Sequence, residues 1–492
     1  MKFLKLIAII LCISMLAVAF VGCNGGNTPE TPTEPENPPV DDVPPSPEPY
    51  YERKFISFSS YMNDRLQVKE ITEHYHMSAR FTIKEGFAER ITIFGTIGDL
   101  TLSIYKWTKD YDTTVAGTPL KQKVYKYEDL THFEPGGGAC NFELEFDGEE
   151  IGPGNYLYVI SHVEGSTKRA SVYTNMGWTS KTLPEDYSSY KINTYINGSY
   201  NGNEVVYANV ILHTPAEKPM EPALELKKDE GAVKVILLGG QSNAVGVSLV
   251  SELQKNVSPE KFEQYTNGYS NVQIMYNNCS GNYSGEFVNV KLGQGVDPNY
   301  FGPELGIAEY LAENFPNEKF YIIKYAMGGS VLETQWFSAK ANSPLDLLLG
   351  LEAFAKQGIQ SLKNQGLDPK IIGFVWNQGE SDAIHLNQAH RYYANQEGLV
   401  NYVRYVFEAD ASVNGIAFFD AGIVGNLWPV YSYVNIQKYQ YSATSPLNFY
   451  IETTDYPEIN TLKENADMAH YDCLAMIKLG HLYGAEIAKV IK

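Results

Sequence analysis

Two different periods of apolar residues divide the chain. Between residues 50 and 214, short stretches such as RFTIKEG, RITIFGT, LTLSIYKW, NFELEFDG, NYLYVISHV and VVYANVILH alternate or run β-branched and aromatic, with Gly, Asn and Asp between them. That pattern predicts strands, and no helix-period segment of useful length interrupts it. The expected fold is an all-β sandwich of roughly jelly-roll type. From residue 232 to 492 the period changes. Fully apolar runs (VKVILLG, KFYIIKYA, KIIGFVW, GIAFFDAG, LNFYIET) alternate with GPELGIAEYLAENF, SPLDLLLGLEAFAKQGIQSLKNQ and NQAHRYYANQEGLVNYVRYVFEA, and YDCLAMIKLGHLYGAEIAKVIK closes the chain. Strands apolar on both faces with helices between them predict an α/β domain with a parallel sheet covered on both sides. Active sites of such sheets lie at the carboxyl ends of the strands.

The flanks carry a different signal. MKFLKLIAIILCISMLAVAFVGC begins with two lysines near its start, continues apolar and ends in small residues before Cys23, as a secretory leader does. Its FVGC ending resembles a bacterial lipobox, although Phe20 stands where leucine is usual. Residues 1–22 are then a lipoprotein signal peptide and Cys23 the lipidated residue; a transmembrane anchor is the alternative, the run being near the minimum spanning length. Residues 23–49, rich in Pro, Glu and Thr, cannot bury a core and read as an extended spacer. Residues 215–231 (from PAEKPMEPALELKKDEGA) read as a second linker, so a fragment starting near Pro219 is expected to fold alone, with few contacts crossing the boundary.

Composition narrows the partners. A chain of 492 residues is long enough for two cores. A formal net charge of −20 repels nucleic acid and anionic lipid surfaces, which makes both poor partner candidates and leaves the lipid anchor at Cys23 as the expected link to a membrane. Of five cysteines only Cys140, Cys279 and Cys473 lie beyond the leader and its end, so this is no disulfide scaffold. The expected location is the bacterial cell envelope, exported and anchored through Cys23. The 36 tyrosines among 13% aromatics suit either sugar stacking or an aromatic-rich core. Trp107 and Trp178 are candidates for a stacking platform, with burial in the sandwich as the plainer reading of either.

Chemistry concentrates in the loops of the second region. In Gly239-Gly240-Gln241-Ser242-Asn243-Ala244 a serine sits where a strand turns into a helix. The stretch has neither the lysine of a phosphate loop nor the spacing of a dinucleotide turn. The first amides of a helix are unpaired, so a serine there can attack a carbonyl while they stabilise the oxyanion; taken alone, such a serine is more often a helix cap. Asp467 and His470 are three residues apart, so one turn can carry a carboxylate that fixes the imidazole tautomer. Gly328 or Gly329, after the strand FYIIKYA, would let a backbone N–H approach the substrate, Gly328 being preferred as the first of the group. Gln378 follows IIGFVW and offers a side-chain amide. Glu380 and Asp382 resemble the paired carboxylates of a glycosidase, but bracing of Gln378 and its loop is the favoured reading.

GGQSNA resembles the nucleophile block of SGNH-type hydrolases in the sialate O-acetylesterase and acetylxylan esterase branch, carbohydrate esterase family 6. YAMGGSVLETQW (325–336), WNQGESDA (376–383) and DMAH (467–470) match the same branch in the same order, and the resemblance covers residues 232–492. It implies a three-layer α/β/α sheet, ester hydrolysis with no metal or cofactor, and acetylated oligo- or polysaccharides as substrates. It assigns Ser242, Asp467 and His470 to catalysis, and Ser242, Gly328, Gly329 and Gln378 to the oxyanion hole. Gln241, Asn243, Trp336, Glu380 and Asp382 are then substrate-binding or supporting residues, with Trp336 and Trp376 as walls of the pocket or packing only. Selectivity is expected from loops 280–300, 336–345 and 422–445. FGPEL (301–305) reads as structural. The rivals are a non-catalytic cell-surface glycan-binding lipoprotein and, more weakly, a glycosidase built on Glu380 and Asp382.

Overall fold

The strand Val233–Gly240 is apolar on both faces, which dictates its surroundings. Val235 and Leu237 enter one apolar cluster, Ile236 and Leu238 another, as the twofold alternation of a strand requires. A computed structural model of the chain describes residues 51–57, 66–130, 139–176, 192–202, 204–215, 225–424, 428, 430–459 and 469–491. In it this strand is the centre of a seven-stranded sheet. The spatial order is Val288–Val290, Tyr269–Asn277, Phe320–Ala326, Val233–Gly240, Pro369–Asn377, Ala417–Ala421 and Asn448–Ile451. All pairings are parallel except that of the edge strand Val288–Val290.

Helices cover both faces. Glu304–Asn314 and Cys473–Ala488 contribute to one cluster, and Asp346–Asn364 and Tyr392–Val406 to the other. The leader, Cys23, the spacer, Trp178 and Asp467 lie outside the described residues. Among the described residues no helix is long and apolar enough to cross a membrane. Cys140, Cys279 and Cys473 form no disulfide with one another.

The described residues between 51 and 215 form two antiparallel sheets. One joins Tyr51–Ser57, Ala208–Pro215, Phe87–Thr96, Ser171–Met176 and Glu204–Val206, with Leu66–Glu70 and Ala139–Glu145 added at its side. The other runs Ser199–Asn201, Asn193–Ile196, Met77–Ile83, Gly154–Ser161, Leu100–Lys106, Lys121–Tyr125. Alternate residues of both, among them Ile91, Ile93, Phe142 and Val210 from the first and Phe81, Leu102, Tyr158 and Ile160 from the second, share one core.

One expectation needs correction. Residues 422–445 are not simply a loop: Tyr431–Ser442 is a helix. Its period was hidden because eight consecutive residues, Tyr431 to Lys438, are buried, polar ones included. Side chains from the two sides of the boundary near 215 also meet. Phe94 and Tyr207 from the antiparallel sheet belong to the same apolar cluster as Trp336 and Trp376. Their rings meet Tyr433 and His390: Phe94–Tyr433 at 6.2 Å, Tyr207–His390 at 5.3 Å and His390–Tyr433 at 4.5 Å, Phe94 and His390 each edge-on to Tyr433. The Tyr207 hydroxyl bonds the His390 ring. Beside them Arg90 pairs with Glu143 at 3.3 Å, and the Tyr431 hydroxyl lies between the two, donating to the carboxylate at 3.1 Å.

Candidate active site

The turns that carry the candidate residues emerge side by side because three strands end together. Gly240 is in register with Ala326 on one side and Asn377 on the other. The segments after them are Gln241-Ser242, Met327-Gly328-Gly329 and Gln378–Asp382, and they converge at the carboxyl edge of the sheet, where the order of connection switches direction. Gly240 must be glycine here. Its φ is +141°, and a Cβ would lie 2.0 Å from the Asn377 carbonyl oxygen.

Ser242 is the first residue of a short helix, Ser242–Val245, and is half-buried. Gln241 holds the capping position, so the serine hydroxyl is not the helix cap. The Ser242 amide stands in the first turn, where no intrahelical acceptor exists. Opposite, Gly328 and Gly329 are exposed. A Cβ on Gly328 would sit 3.9 Å from the Ser242 Cβ, while one on Gly329 would meet nothing within 4 Å. Gly328 is therefore the member of the pair that lies against the serine. The turn closes through Ser330 N–H donating to the Met327 carbonyl, with Gly329 at φ +67° supplying the left-handed position.

His470 is brought in from the far end of the sequence by the serine helix itself. Tyr471 N–H donates to Asn243 Oδ1 at 3.4 Å, and the Tyr471 carbonyl accepts from Ser248 Oγ at 2.8 Å. His470, half-buried, immediately precedes this doubly held residue. Asn243 in turn donates to Glu380 Oε1 at 2.7 Å, which ties the serine turn, the histidine turn and the QGESD loop together. Asp467 lies outside the described residues.

Gln378 departs from the role assigned to it. It is 0% exposed, and its amide nitrogen donates to Asp382 Oδ2 (2.6 Å), the Ser330 carbonyl (3.0 Å) and Gln241 Oε1 (3.2 Å). Its own oxygen accepts from the Tyr392 hydroxyl at 2.9 Å. In this arrangement its N–H groups brace three converging turns rather than face the serine. Gln241 is part of the same brace, its oxygen also accepting from Ser381 N–H. Glu380 and Asp382, at 1% and 0% exposed, cannot flank a glycosidic bond here. Trp336 and Trp376 are both wholly buried, edge to face at 4.9 Å, with their ring nitrogens bonded to Ser330 and Tyr392. They are packing beneath the site and not walls of it.

Burial pushes the Asp382 carboxyl up to about 6, against the pull of hydrogen bonds from Leu332 and Gln378. The folded chain thus binds this proton more tightly than the unfolded chain does, so stability falls as pH rises from about 4 to 6. His390 opposes it. Its burial lowers the imidazole to about 3, so stability is lost as pH falls from about 6.5 towards 3. The two slopes oppose each other between pH 4 and 6. Replacing Asp382→Asn removes one of them, and thermal unfolding across that range should then show stability falling more steeply on acidification than in the parent; an unchanged profile would refute the assignment.

Sequence reasoning missed two buried ion pairs that fix the framework. Lys324, on the strand leading to Gly328, is 0% exposed and donates to the Val245 carbonyl (2.7 Å), the Gln294 carbonyl (3.0 Å) and Glu304 (3.0 Å). Val245 ends the serine helix, so this ammonium joins the serine turn to the strand that leads to Gly328. Glu304 comes from FGPEL, whose carboxylate also accepts from Gly302 N–H. Lys438 of the unanticipated helix pairs with Asp420 at 2.7 Å, both wholly buried. A lysine inside an apolar strand (FYIIKYA) was the available signal for the first. The second had none, because its helix showed no period.

Among the described residues no cluster of histidine, cysteine and carboxylate side chains could hold a metal ion. A comparison with curated proteins returns no match. Solved structures with a related chain course include a protein from Arabidopsis thaliana, with 16% identity over 53% of this chain and 100% of its own, TM-score 0.39. NanS follows at 13% identity over 53% and 97%, TM-score 0.38, and a carbohydrate acetylesterase from Xanthomonas citri at 11% over 83% and 75%, TM-score 0.34. At these scores none of them carries weight for the chemistry. The assignment rests on a match of residues 232–489, just over half the chain, to the profile described as "Carbohydrate esterase, sialic acid-specific acetylesterase". This chain belongs to the sialic acid-specific acetylesterase family of carbohydrate esterases.

Proposed function

We propose that the protein is an exported, lipid-anchored carbohydrate O-acetylesterase with an SGNH-type domain preceded by a β-sandwich. The observation that carries this reading is the placement of Ser242 at a strand end with the exposed Gly328 turn against it. Ser242 Oγ attacks the acetyl carbonyl of an O-acetylated glycan while His470 takes its proton and Asp467 orients the imidazole. The N–H groups of Ser242 and Gly328 receive the developing oxyanion. The imidazolium then protonates the departing sugar oxygen. Water, deprotonated by the same imidazole, attacks the acetyl-serine and releases acetate. Cys23 carries the lipid, and the Pro-rich spacer holds the folded part away from the membrane.

The burial of Glu380 and Asp382 argues against a glycosidase. The test is acetate release by the full chain from a panel of acetylated xylan, acetylated sialosides and acetylated pectin. Release from at least one is expected. Retention on one of these glycans with no acetate released from any, nor from a small acetate ester, would make the protein a binder instead.

A further inference from the structure

We infer that the outward face of the six-stranded sheet carries a second carbohydrate site, an aromatic ledge for a neutral glycan chain built around Tyr195. For its choice of ligand the inference rests on the carbohydrate reading above; it concerns a surface remote in sequence from the esterase turns. Asn193–Ile196 and Ser199–Asn201 form a hairpin closed by Asn197-Gly198, both at positive φ (48° and 79°), the geometry of a two-residue primed turn. That register sets Tyr200 directly opposite Tyr195. Asn197 is pinned further by donating to the His74 carbonyl at 2.8 Å and accepting from His76 N–H at 2.9 Å. Thr194, the neighbour of Tyr195, pairs with the core residue Ala79, so Tyr195 lies on the opposite face.

Around Tyr195 the rings follow one another. Trp107 stacks beside it at 5.9 Å, Tyr111 lies at 5.2 Å, and Tyr200 meets it edge-on at 6.1 Å. His76 continues the row, stacked on Tyr111 at 6.5 Å. Trp107, Tyr111 and Tyr195 are half-buried, and Tyr200 is 66% exposed. The core of these two sheets is complete without them. A contiguous cluster of half-buried and exposed aromatics on the outer face of a sheet is a surface that a ligand can cover. The rim is polar: the Arg80 guanidinium lies 4.6 Å over Trp107 and is held by Asn155 Oδ1 at 3.2 Å.

The chemistry of the ledge selects its ligand. A tyrosine ring accepts the C–H face of a pyranose while its hydroxyl and the Arg80 guanidinium bond to sugar hydroxyls; Trp107, covered by Arg80, supports Tyr195 from the side. A net charge of −20 disfavours a polyanion, so the glycan chain is neutral.

The test is affinity electrophoresis of the full chain carrying Ser242→Ala, run in gels containing arabinoxylan, glucomannan, mixed-linkage β-glucan or polygalacturonate. Retardation by at least one neutral polymer is expected, with affinity lowered about tenfold or more by adding Tyr195→Ala or Tyr200→Ala. Tyr200→Ala removes an exposed side chain, so the fold survives; in the active chain both substitutions should leave hydrolysis of a small acetate ester unchanged. No retardation by any neutral polymer, retardation indifferent to both substitutions, or retardation by polygalacturonate alone would overturn the ledge. Retardation lost on substitution in a chain without esterase activity would support the ledge while removing the proposed function.

Discussion

Ser242→Ala should lower acetate release to background, a loss of roughly 10⁶-fold if the serine, histidine and aspartate act as a unit. Stability should change by no more than about 1 kcal/mol, since Gln241 and not Ser242 occupies the helix-capping position. A fluorophosphonate should label the parent once, at this serine, and leave the variant unlabelled. Substantial activity in the variant, or labelling elsewhere with activity lost, would take Ser242 out of the mechanism. If activity and thermal stability fell together, the hydroxyl would be structural. The labelling experiment keeps these outcomes apart, because it reads nucleophilicity and not turnover of a glycan.

What the residues revealed in advance follows from how local each signal is. Four of the five strands found from apolar runs are buried on both faces over most of their length, the edge strand Asn448–Ile451 being the exception, so their signal is a run and needs no partner to be read. Tyr269–Asn277 escaped because Ser270, Asn271 and Gln273 break its run; its burial is strongest only over Ile274–Tyr276. Tyr431–Ser442 escaped for the opposite reason, being enclosed on nearly all sides by polar and apolar neighbours alike. The serine turn alone reads as a helix cap; it was legible because GGQSNA, YAMGGSVLETQW, WNQGESDA and DMAH follow one another in the order of a known family. Gln378 was legible as a site residue but not in its hydrogen bonding. Its amide is held by Gln241, Ser330 and Asp382, three residues drawn from three separate turns, and no spacing rule relates them. The Lys324–Glu304 pair is of the same kind, a contact 20 residues apart in sequence that forms only when the helix Glu304–Asn314 packs on the sheet.

A fragment beginning at Pro219 should be markedly less stable than the full chain, and slower even on a small soluble ester. Removing residues 1–218 takes Phe94 and Tyr207 out of a core they share with Trp336, Trp376 and Tyr433. Each large side chain left facing water forfeits about 1.5–3 kcal/mol of burial. The loss also leaves Tyr431 without Arg90 and Glu143, and His390 without the Tyr207 hydroxyl. These groups lie on the helix Tyr431–Ser442 and the segment before Tyr392. The same helix supplies Lys438 to Asp420, and Val430 just before it donates to the Ala383 carbonyl in the QGESD loop. Damage at the interface therefore reaches, within a few bonds, the loop that braces the Gly328–Ser330 turn. Thermal denaturation and hydrolysis of p-nitrophenyl acetate by the fragment and the full chain decide the matter. Equal melting temperatures and equal rates would show that the two sheets of residues 51–215 are a tethered passenger. A lower melting temperature with a reduced kcat would show them to be part of the scaffold that holds the active site.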